Sequence, residues 1–245
     1  MTHIDRLDGL RVAVTGGTSG LGLALLRLLH ARSATLGFVA RDAARVRRVA
    51  TELPGTHGIA GDIAAKTETH RIALQLNAAL GGLDVLVNNA SSLGPVPLAL
   101  LADTECEDFE RALATNLLGP FRLTKALLGS LAATARDAAP RQPGALVVNI
   151  VSDAAVTPYA GWGAYGASKA ALAHLSRIWD EELREHGVRV LGFDPGDMDT
   201  PLHALALPDA DPASLKQPAD AARELAALIA ASLGRAPAAA SGAQR

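Results

Sequence analysis

The sequence predicts an α/β protein in which one domain, residues 1–234, is built on a doubly wound parallel sheet with helices on both faces. Three observations lead there. Short apolar runs alternate with helical patterns from one end of the chain to the other. The apolar runs are continuous in Val, Ile and Leu, which suits strands buried on both faces. Parallel strands joined by right-handed crossovers then place helices on each side of the sheet. With 245 residues and 49% hydrophobic content, the chain can fill one sizeable core without dividing into two domains.

Taken in order, "LRVAVTG" (10–16) reads as a buried strand and "GLGLALLRLLHA" (20–31) as a helix. "ATLGFVA" (34–40) is the second strand, followed by the helix "DAARVRRVATEL" (42–53). "HGIAGDI" (57–63) and "LDVLVNNA" (83–90) are strands flanking the helical "KTETHRIALQLNAAL" (66–80). One long helix is expected through "FERALATNLLGPFRLTKALLGSLAA" (109–133), then the strand "GALVVNIVS" (144–152) and a helix over 163–186. "VRVLGFDPG" (188–196) gives the last strand and "PADAARELAALIAASL" (218–233) the last helix. The stretches 133–144 and 234–245 lack periodicity, and the tail 235–245 is expected to be disordered.

Composition narrows the function. A net charge of −2 gives no electrostatic case for nucleic acid or an acidic membrane surface. The single cysteine, Cys106, excludes an internal disulfide framework and fits a reducing cytosol. The first residues lack an apolar run of signal-peptide length, and the greasiest segment is broken by Arg27 and too short to span a bilayer. A cytoplasmic protein without nucleic-acid or membrane partners is expected, and no metal site.

Directly after the first strand, "TGGTSGLG" (15–22) opens a helix. Gly16, Gly20 and Gly22, with Thr18, Ser19 and Leu21 among them, allow a tight turn, close approach to a pyrophosphate and close helix packing. Free N–H groups and the helix dipole favour the anion. At the end of the second strand an acidic residue would accept from an adenosine ribose, whereas an arginine would pair with a 2′-phosphate. That position is Ala40, followed by Arg41, with Arg45 a turn further on. Bidentate guanidinium contacts suit a phosphate, which favours NADP(H) over NAD(H), although Asp42 could serve as a ribose acceptor.

"YGASKAAL" (165–172) sets a phenol and an ammonium four residues apart with only small residues between. Tyr165 and Lys169 then share a helix face. Alone, such a spacing reads as a helix start with an exposed lysine. Here it accompanies "TGGTSGLG", "GDI" (61–63), "NNA" (88–90), "TN" (115–116), Ser152 placed 13 residues before Tyr165, and "DPGDMDT" (194–200). In this order and spacing, from about Leu10 to Leu233, the set resembles the short-chain dehydrogenases/reductases, in their roughly 250-residue single-domain branch.

The resemblance implies a Rossmann-type fold and an NAD(P)(H)-dependent carbonyl reductase or alcohol dehydrogenase. It assigns Tyr165 as proton donor and acceptor, Ser152 as the hydroxyl that polarises the carbonyl, and Asn116 as holder of a water linked to Lys169. Lys169 would bond the nicotinamide ribose and lower the phenol from near 10; about 3 units would need roughly 4 kcal/mol. Asp62 and Ile63 match residues beside the adenine, Asn89 and Ala90 line the cofactor, and Pro195, Gly196 and Thr200 match the loop over the carboxamide. Family analogy makes a homodimer through the two long helices (about 105–131 and 163–186) the expected assembly, not a tetramer, with a small-molecule carbonyl or alcohol as substrate.

Some positions depart from the family pattern. Ser91 stands where a glycine is usual, Asp153 follows the serine, and Asp194 replaces a frequent asparagine. With Asp197 and Asp199 these carboxylates suit either a polar or amine-bearing substrate or ordinary loop caps. Tyr159 and Trp162 either wall the pocket or pack the helix start. The usual final strand and glycine-rich end are not expected, and 201–217 reads as a short lid over a small or open pocket. Two other functions compete: a non-catalytic dinucleotide-binding sensor or scaffold, against which the intact Ser–Tyr–Lys–Asn set argues, and nucleotide-sugar epimerase or dehydratase chemistry, against which the missing substrate region argues.

Overall fold

The computed structural model describes residues 7–137 and 144–234, so the expected tail 235–245 and residues 138–143 of the 133–144 segment lie outside the described residues. Six parallel strands form one sheet in the order β3-β2-β1-β4-β5-β6. They are β1 (Arg11–Thr15), β2 (Thr35–Ala40), β3 (His57–Ala60), β4 (Val85–Asn88), β5 (Ala145–Ile150) and β6 (Val188–Phe193). The central strand pairs on both edges, Val12 opposite Leu36 on one side and Val85 on the other. No strand follows β6 among the described residues.

Strand side chains alternate between two cores, as the pleat requires. Val12, Val14, Leu36 and Phe38 point to the face covered by α1 (Gly20–His30), α2 (Ala43–Glu52) and α8 (Pro218–Ser232). Leu21, Leu25, Leu26 and Leu29 of α1 recur at helical spacing and meet Leu225 and Ile229 there. Ala13, Val39, Leu86 and Val147 point to the other face. That face is covered by α3 (Thr69–Leu80), α5 (Gly119–Arg136) and α6 (Gly163–Leu183). Both faces are therefore dry, and the chain order reverses between β1 and β4. Such a reversal opens a crevice at the carboxyl ends of the strands.

The structure corrects two expectations and adds detail to a third. The long helix is two helices, α4 (Cys106–Leu113) and α5, joined by a π turn over Ala114–Leu118. Pro120 has no N–H to give the carbonyl of Asn116 four residues back, so the α-helical ladder loses a bond at this point. Instead the N–H of Gly119 reaches the carbonyl of Ala114, five residues back. Second, α5 continues to Arg136, into the segment read as aperiodic. Third, the segment read as a lid starts with a short helix, α7 (Pro201–Ala206), capped by the Thr200 hydroxyl, which accepts from the His203 N–H. No helix among the described residues is long and apolar enough to cross a membrane.

Candidate active site

At the crevice, a cavity of about 610 Å³ is lined by loops leaving the strand ends. The strands are shorter than their apolar runs. β3 stops at Ala60, β4 at Asn88 and β5 at Ile150, which leaves Asp62, Asn89 and Ser152 in loops at the rim. Of the sequence-predicted site residues, Gly16, Thr18, Ser19, Gly20, Leu21, Arg41, Asp62, Ile63, Asn89, Ala90, Ser152, Tyr165, Lys169, Pro195, Gly196 and Thr200 line the cavity. Gly22 and Asn116 do not; both stand behind its wall.

The glycine turn is fastened to the end of β4. The Thr15 hydroxyl accepts from the N–H groups of Asn89 (3.0 Å) and Ala90 (3.1 Å). The Asn89 side-chain amide returns to the carbonyls of Thr15 (2.9 Å) and Gly16 (3.2 Å). Gly16 has φ +70, and a Cβ there would lie 2.9 Å from the Ala90 Cα. A Cβ on Gly22 would lie 2.4 Å from the Gly16 carbonyl oxygen, so its role is to let α1 close on the turn. Ser19, the residue before α1, makes no side-chain cap, so the helix's first N–H groups are left for a ligand.

At the β2 end Arg41 is exposed and has no ion pair or hydrogen bond among the described residues. Asp42 is committed to capping α2: its Oδ1 accepts from the N–H groups of Ala44 (2.8 Å) and Arg45 (3.0 Å), and Arg45 stands 3.6 Å from Oδ2. On the neighbouring strand end, the Asp62 carboxylate accepts from the Ala64 N–H at 2.9 Å and shapes the loop after β3.

The catalytic end is built on α6. Tyr165 and Lys169 are nearly buried, at 8% and 2% exposure, and the ammonium lies 5.5 Å from the phenol ring centre. Lys169 Nζ donates to the Ile150 carbonyl at 2.7 Å, a partner given by the end of β5 that the sequence did not announce. Asn116, fully buried in the π turn, clamps the chain after β4. Its Oδ1 accepts from the Ser92 N–H (2.8 Å) and the Ser91 hydroxyl (3.3 Å), and its Nδ2 donates to the Ser92 carbonyl (2.7 Å) and Ser168 Oγ (2.8 Å). Ser91 keeps a negative φ and so replaces the expected glycine without backbone strain. The Ser152 hydroxyl donates to Asp153 Oδ1 at 3.0 Å and accepts from the Ala154 N–H at 3.2 Å.

The electrostatics overturn one expectation. Burial pushes Tyr165 up to about 12, not down; the Ser152 and Ser91 hydroxyls pull the other way, and the Asp194 and Asp153 charges push further up. Burial also lowers Lys169 to about 8, against a smaller opposing pull from Asp194. The ammonium is itself desolvated and turned to Ile150, so protein groups alone do not hold the phenolate.

A family model described as short chain dehydrogenase matches residues 11–210. The chain belongs to the short-chain dehydrogenase/reductase family. It is 31% identical over 213 residues to L-fucose dehydrogenase of Mus musculus, covering 86% of this chain and 74% of that protein. It is 34% identical to serine 3-dehydrogenase of Agrobacterium fabrum, covering 77% and 72%. A 3-ketoacyl-(acyl-carrier-protein) reductase from Brucella melitensis complexed with NADH superposes with a TM-score of 0.82 at 26% identity, over 91% of each chain. A short chain dehydrogenase from Burkholderia cenocepacia in complex with NADP does so with a TM-score of 0.79 at 26% identity, again over 91% of each. This short-chain dehydrogenase/reductase is thus a dinucleotide-dependent oxidoreductase acting on CH–OH and C=O groups.

The residues fit a dinucleotide. The turn at Gly16 leaves space where any Cβ would intrude, the first N–H groups of α1 are uncapped, and Lys169 uses one of its three donors within the protein. A nicotinamide dinucleotide would be held by the glycine turn, the β2 end and Lys169, where it would supply or take up hydride.

Proposed function

We propose that this short-chain dehydrogenase/reductase prefers NADP(H) and interconverts a carbonyl and an alcohol with Tyr165 as the proton donor and acceptor. The observation that supports the cofactor preference is the division of labour at the β2 end. Asp42 spends its acceptor oxygen on the α2 cap, while Arg41 lines the cavity without a partner of its own among the described residues. A carboxylate engaged in a cap is a poor ribose acceptor, and an unpaired guanidinium is a ready phosphate donor.

In the catalytic step Ser152 turns its hydroxyl from Asp153 to the substrate oxygen, and Tyr165 passes its proton to that oxygen during reduction. With a folded pKa of about 12 the phenol is fully protonated at neutral pH, which suits reduction directly. Oxidation requires the phenolate, so its rate should climb with pH. Lys169 bonds the ribose and stabilises the phenolate as it forms. Asn116 holds the π turn against Ser168, one residue from Lys169, and so keeps the proton route to the lysine in place. An intact set of this kind has no purpose in a mere binder, which disfavours the sensor or scaffold reading.

Fluorescence titration with NADPH and NADH tests the cofactor half. About tenfold tighter NADPH binding, some 1.4 kcal/mol, is expected, and Arg41→Ala should remove most of that difference. Equal affinities would mean that Arg41 faces solvent. For the mechanism, Tyr165→Phe should abolish turnover and retain dinucleotide binding; undiminished turnover would end the proposal. We also propose a homodimer through α5 and α6, supported by the exposed apolar side chains Leu118, at the end of the π turn that leads into α5, and Ile178 of α6.

A further inference from the structure

The catalytic end of the cavity carries a carboxylate that proton and hydride transfer do not call for. Asp153 follows Ser152 directly. Its Oδ1 accepts from the Ser152 hydroxyl at 3.0 Å and the Ala154 N–H at 2.7 Å, and its Oδ2 accepts from the Tyr159 hydroxyl at 2.7 Å. The Tyr159 bond, followed by those from Ser152 and Ala154, holds the carboxyl below its usual range, so it is ionised at neutral pH. A carboxylate offers about four acceptor positions. Three are taken here, one of them by the Ser152 hydroxyl that turns to the substrate oxygen in the catalytic step, and a position on Oδ2 stays open beside the cavity that Asp153 and Tyr159 both line. Asp153 has no ion pair among the described residues.

The surroundings add further carboxylates, with the buried Lys169 ammonium beside Tyr165 as a cation among them. Asp194 and Asp197 line the same end, and their fields reach Tyr165 and Tyr159 respectively. The cavity's arginines, Arg41 and Arg45, stand at the end of β2, three strands from β5, or about 14 Å at ordinary strand spacing. The remaining wall is apolar: Leu93 and Ala206 pack on Tyr165, with Trp162 and Leu202 against them.

We propose that Asp153, held by Tyr159, is the specificity-determining residue of this site. It selects alcohols and ketones that carry a hydrogen-bond donor, hydroxyl or ammonium, on the carbon next to the reacting one, with an apolar remainder, and it turns away carboxylate-bearing analogues. The inference rests on the reading that Ser152 and Tyr165 hold the reacting oxygen. With that oxygen on Ser152 Oγ, itself 3.0 Å from the carboxylate, the adjacent carbon is the nearest place from which a second polar group reaches Asp153. A site built to bond such a donor discriminates strongly against analogues lacking it. A like-charged group would be desolvated beside Asp153, which has no ion pair among the described residues, and near Asp194 and Asp197, against the buried ammonium of Lys169.

The test uses four probes on one skeleton: a phenylalkyl secondary alcohol, and the same alcohol bearing a hydroxyl, an amino group or a carboxylate on the adjacent carbon. Their dissociation constants are measured on Tyr165→Phe protein saturated with oxidised NADP, so that no turnover is needed. The hydroxyl and amino probes should bind at least about tenfold tighter than the plain alcohol, and the carboxylate should bind weakest. Adding Asp153→Ala should bring the hydroxyl probe to within about twofold of the plain alcohol. Asp153→Asn, which keeps the shape and removes the charge, should weaken the amino probe more than the hydroxyl probe. Equal binding of plain and donor-bearing alcohols with Asp153 intact, or a preference that survives Asp153→Ala, would overturn the inference. Oxidation of the same probes by the wild-type protein separates the two readings. Turnover without the preference sinks the specificity role alone, and the preference without turnover sinks the redox role of the site.

Discussion

At the scale of single residues, the site is defined by groups kept where they are least comfortable. Lys169 is a buried ammonium with one carbonyl partner, and its folded pKa falls from 10.5 to about 8. The unfolded chain therefore binds that proton more tightly than the folded protein. Below about pH 8 both forms carry it and the folded state bears the full cost, about 3 kcal/mol. Between about pH 8 and 10.5 only the unfolded chain keeps it, so this contribution to stability rises with pH. Tyr165 works the other way, but later: its raised pKa stabilises the fold below pH 10, and that contribution is lost as pH climbs to about 12. Lys169→Met should therefore be more stable than the wild type by about 1–3 kcal/mol at pH 7, after the loss of the Ile150 bond, while losing turnover. Urea denaturation at pH 7 and pH 9.5 checks it: the gap between the two proteins should narrow at the higher pH. A variant less stable at pH 7 would show that the ammonium is better solvated than its burial implies.

At the scale of elements, what could be read from the sequence divides by range of interaction. The glycine turn, the β2 end and the Tyr165–Lys169 pair were legible because each depends on neighbours within a few residues. The break at Asn116 was legible in principle, since Pro120 lies four residues on, but the apolar periodicity runs unbroken across it and masks the missing N–H. Helix α7 also has a local signal, Thr200 before Pro201 at a helix start, which the surrounding Pro and Asp residues of a loop-like segment mask. Nothing local announced that Ile150 would receive the lysine or that Ser91 would reach Asn116 and Tyr165, because tertiary packing sets those contacts. The rise of Tyr165 has the same origin, for burial is a property of the whole fold. Glycines show the contrast in a measurable way. Gly22→Ala should destabilise the protein by about 1–3 kcal/mol and weaken dinucleotide binding, because the new methyl meets backbone that cannot give way. Gly129→Ala, on an exposed stretch of α5 with nothing within 4 Å, should be neutral or stabilise by up to about 1 kcal/mol. Thermal melts with and without NADPH distinguish the two, and equal effects would mean that α1 shifts freely over the turn.

At the scale of the molecule, a sheet covered on both faces leaves its helices' outer surfaces as the places to meet another copy. α5 and α6 touch through the Phe121–Trp179 ring pair, with centroids 5.6 Å apart, and Lys125 lies 6.0 Å from the Phe121 ring centre. Leu118, at the end of the π turn that leads into α5, and Ile178 of α6 are 39% and 42% exposed. A two-fold dimer would use this surface twice, so one change there alters the interface at two places. Ile178→Glu would set a carboxylate against apolar surface in both copies, at a desolvation cost of several kcal/mol in total, enough to dissociate a standard interface at micromolar concentration. Light scattering at micromolar protein should show a dimer for the wild type and a monomer for Ile178→Glu. The cavity takes only the first turns of α6, through Tyr165 and Lys169, and Ile178 does not line it, so NADPH affinity should stay within about twofold in the monomer. A dimer that persists in the variant would move the contact to another face. A monomeric wild type would end the assembly proposal while leaving the chemistry of the cleft intact.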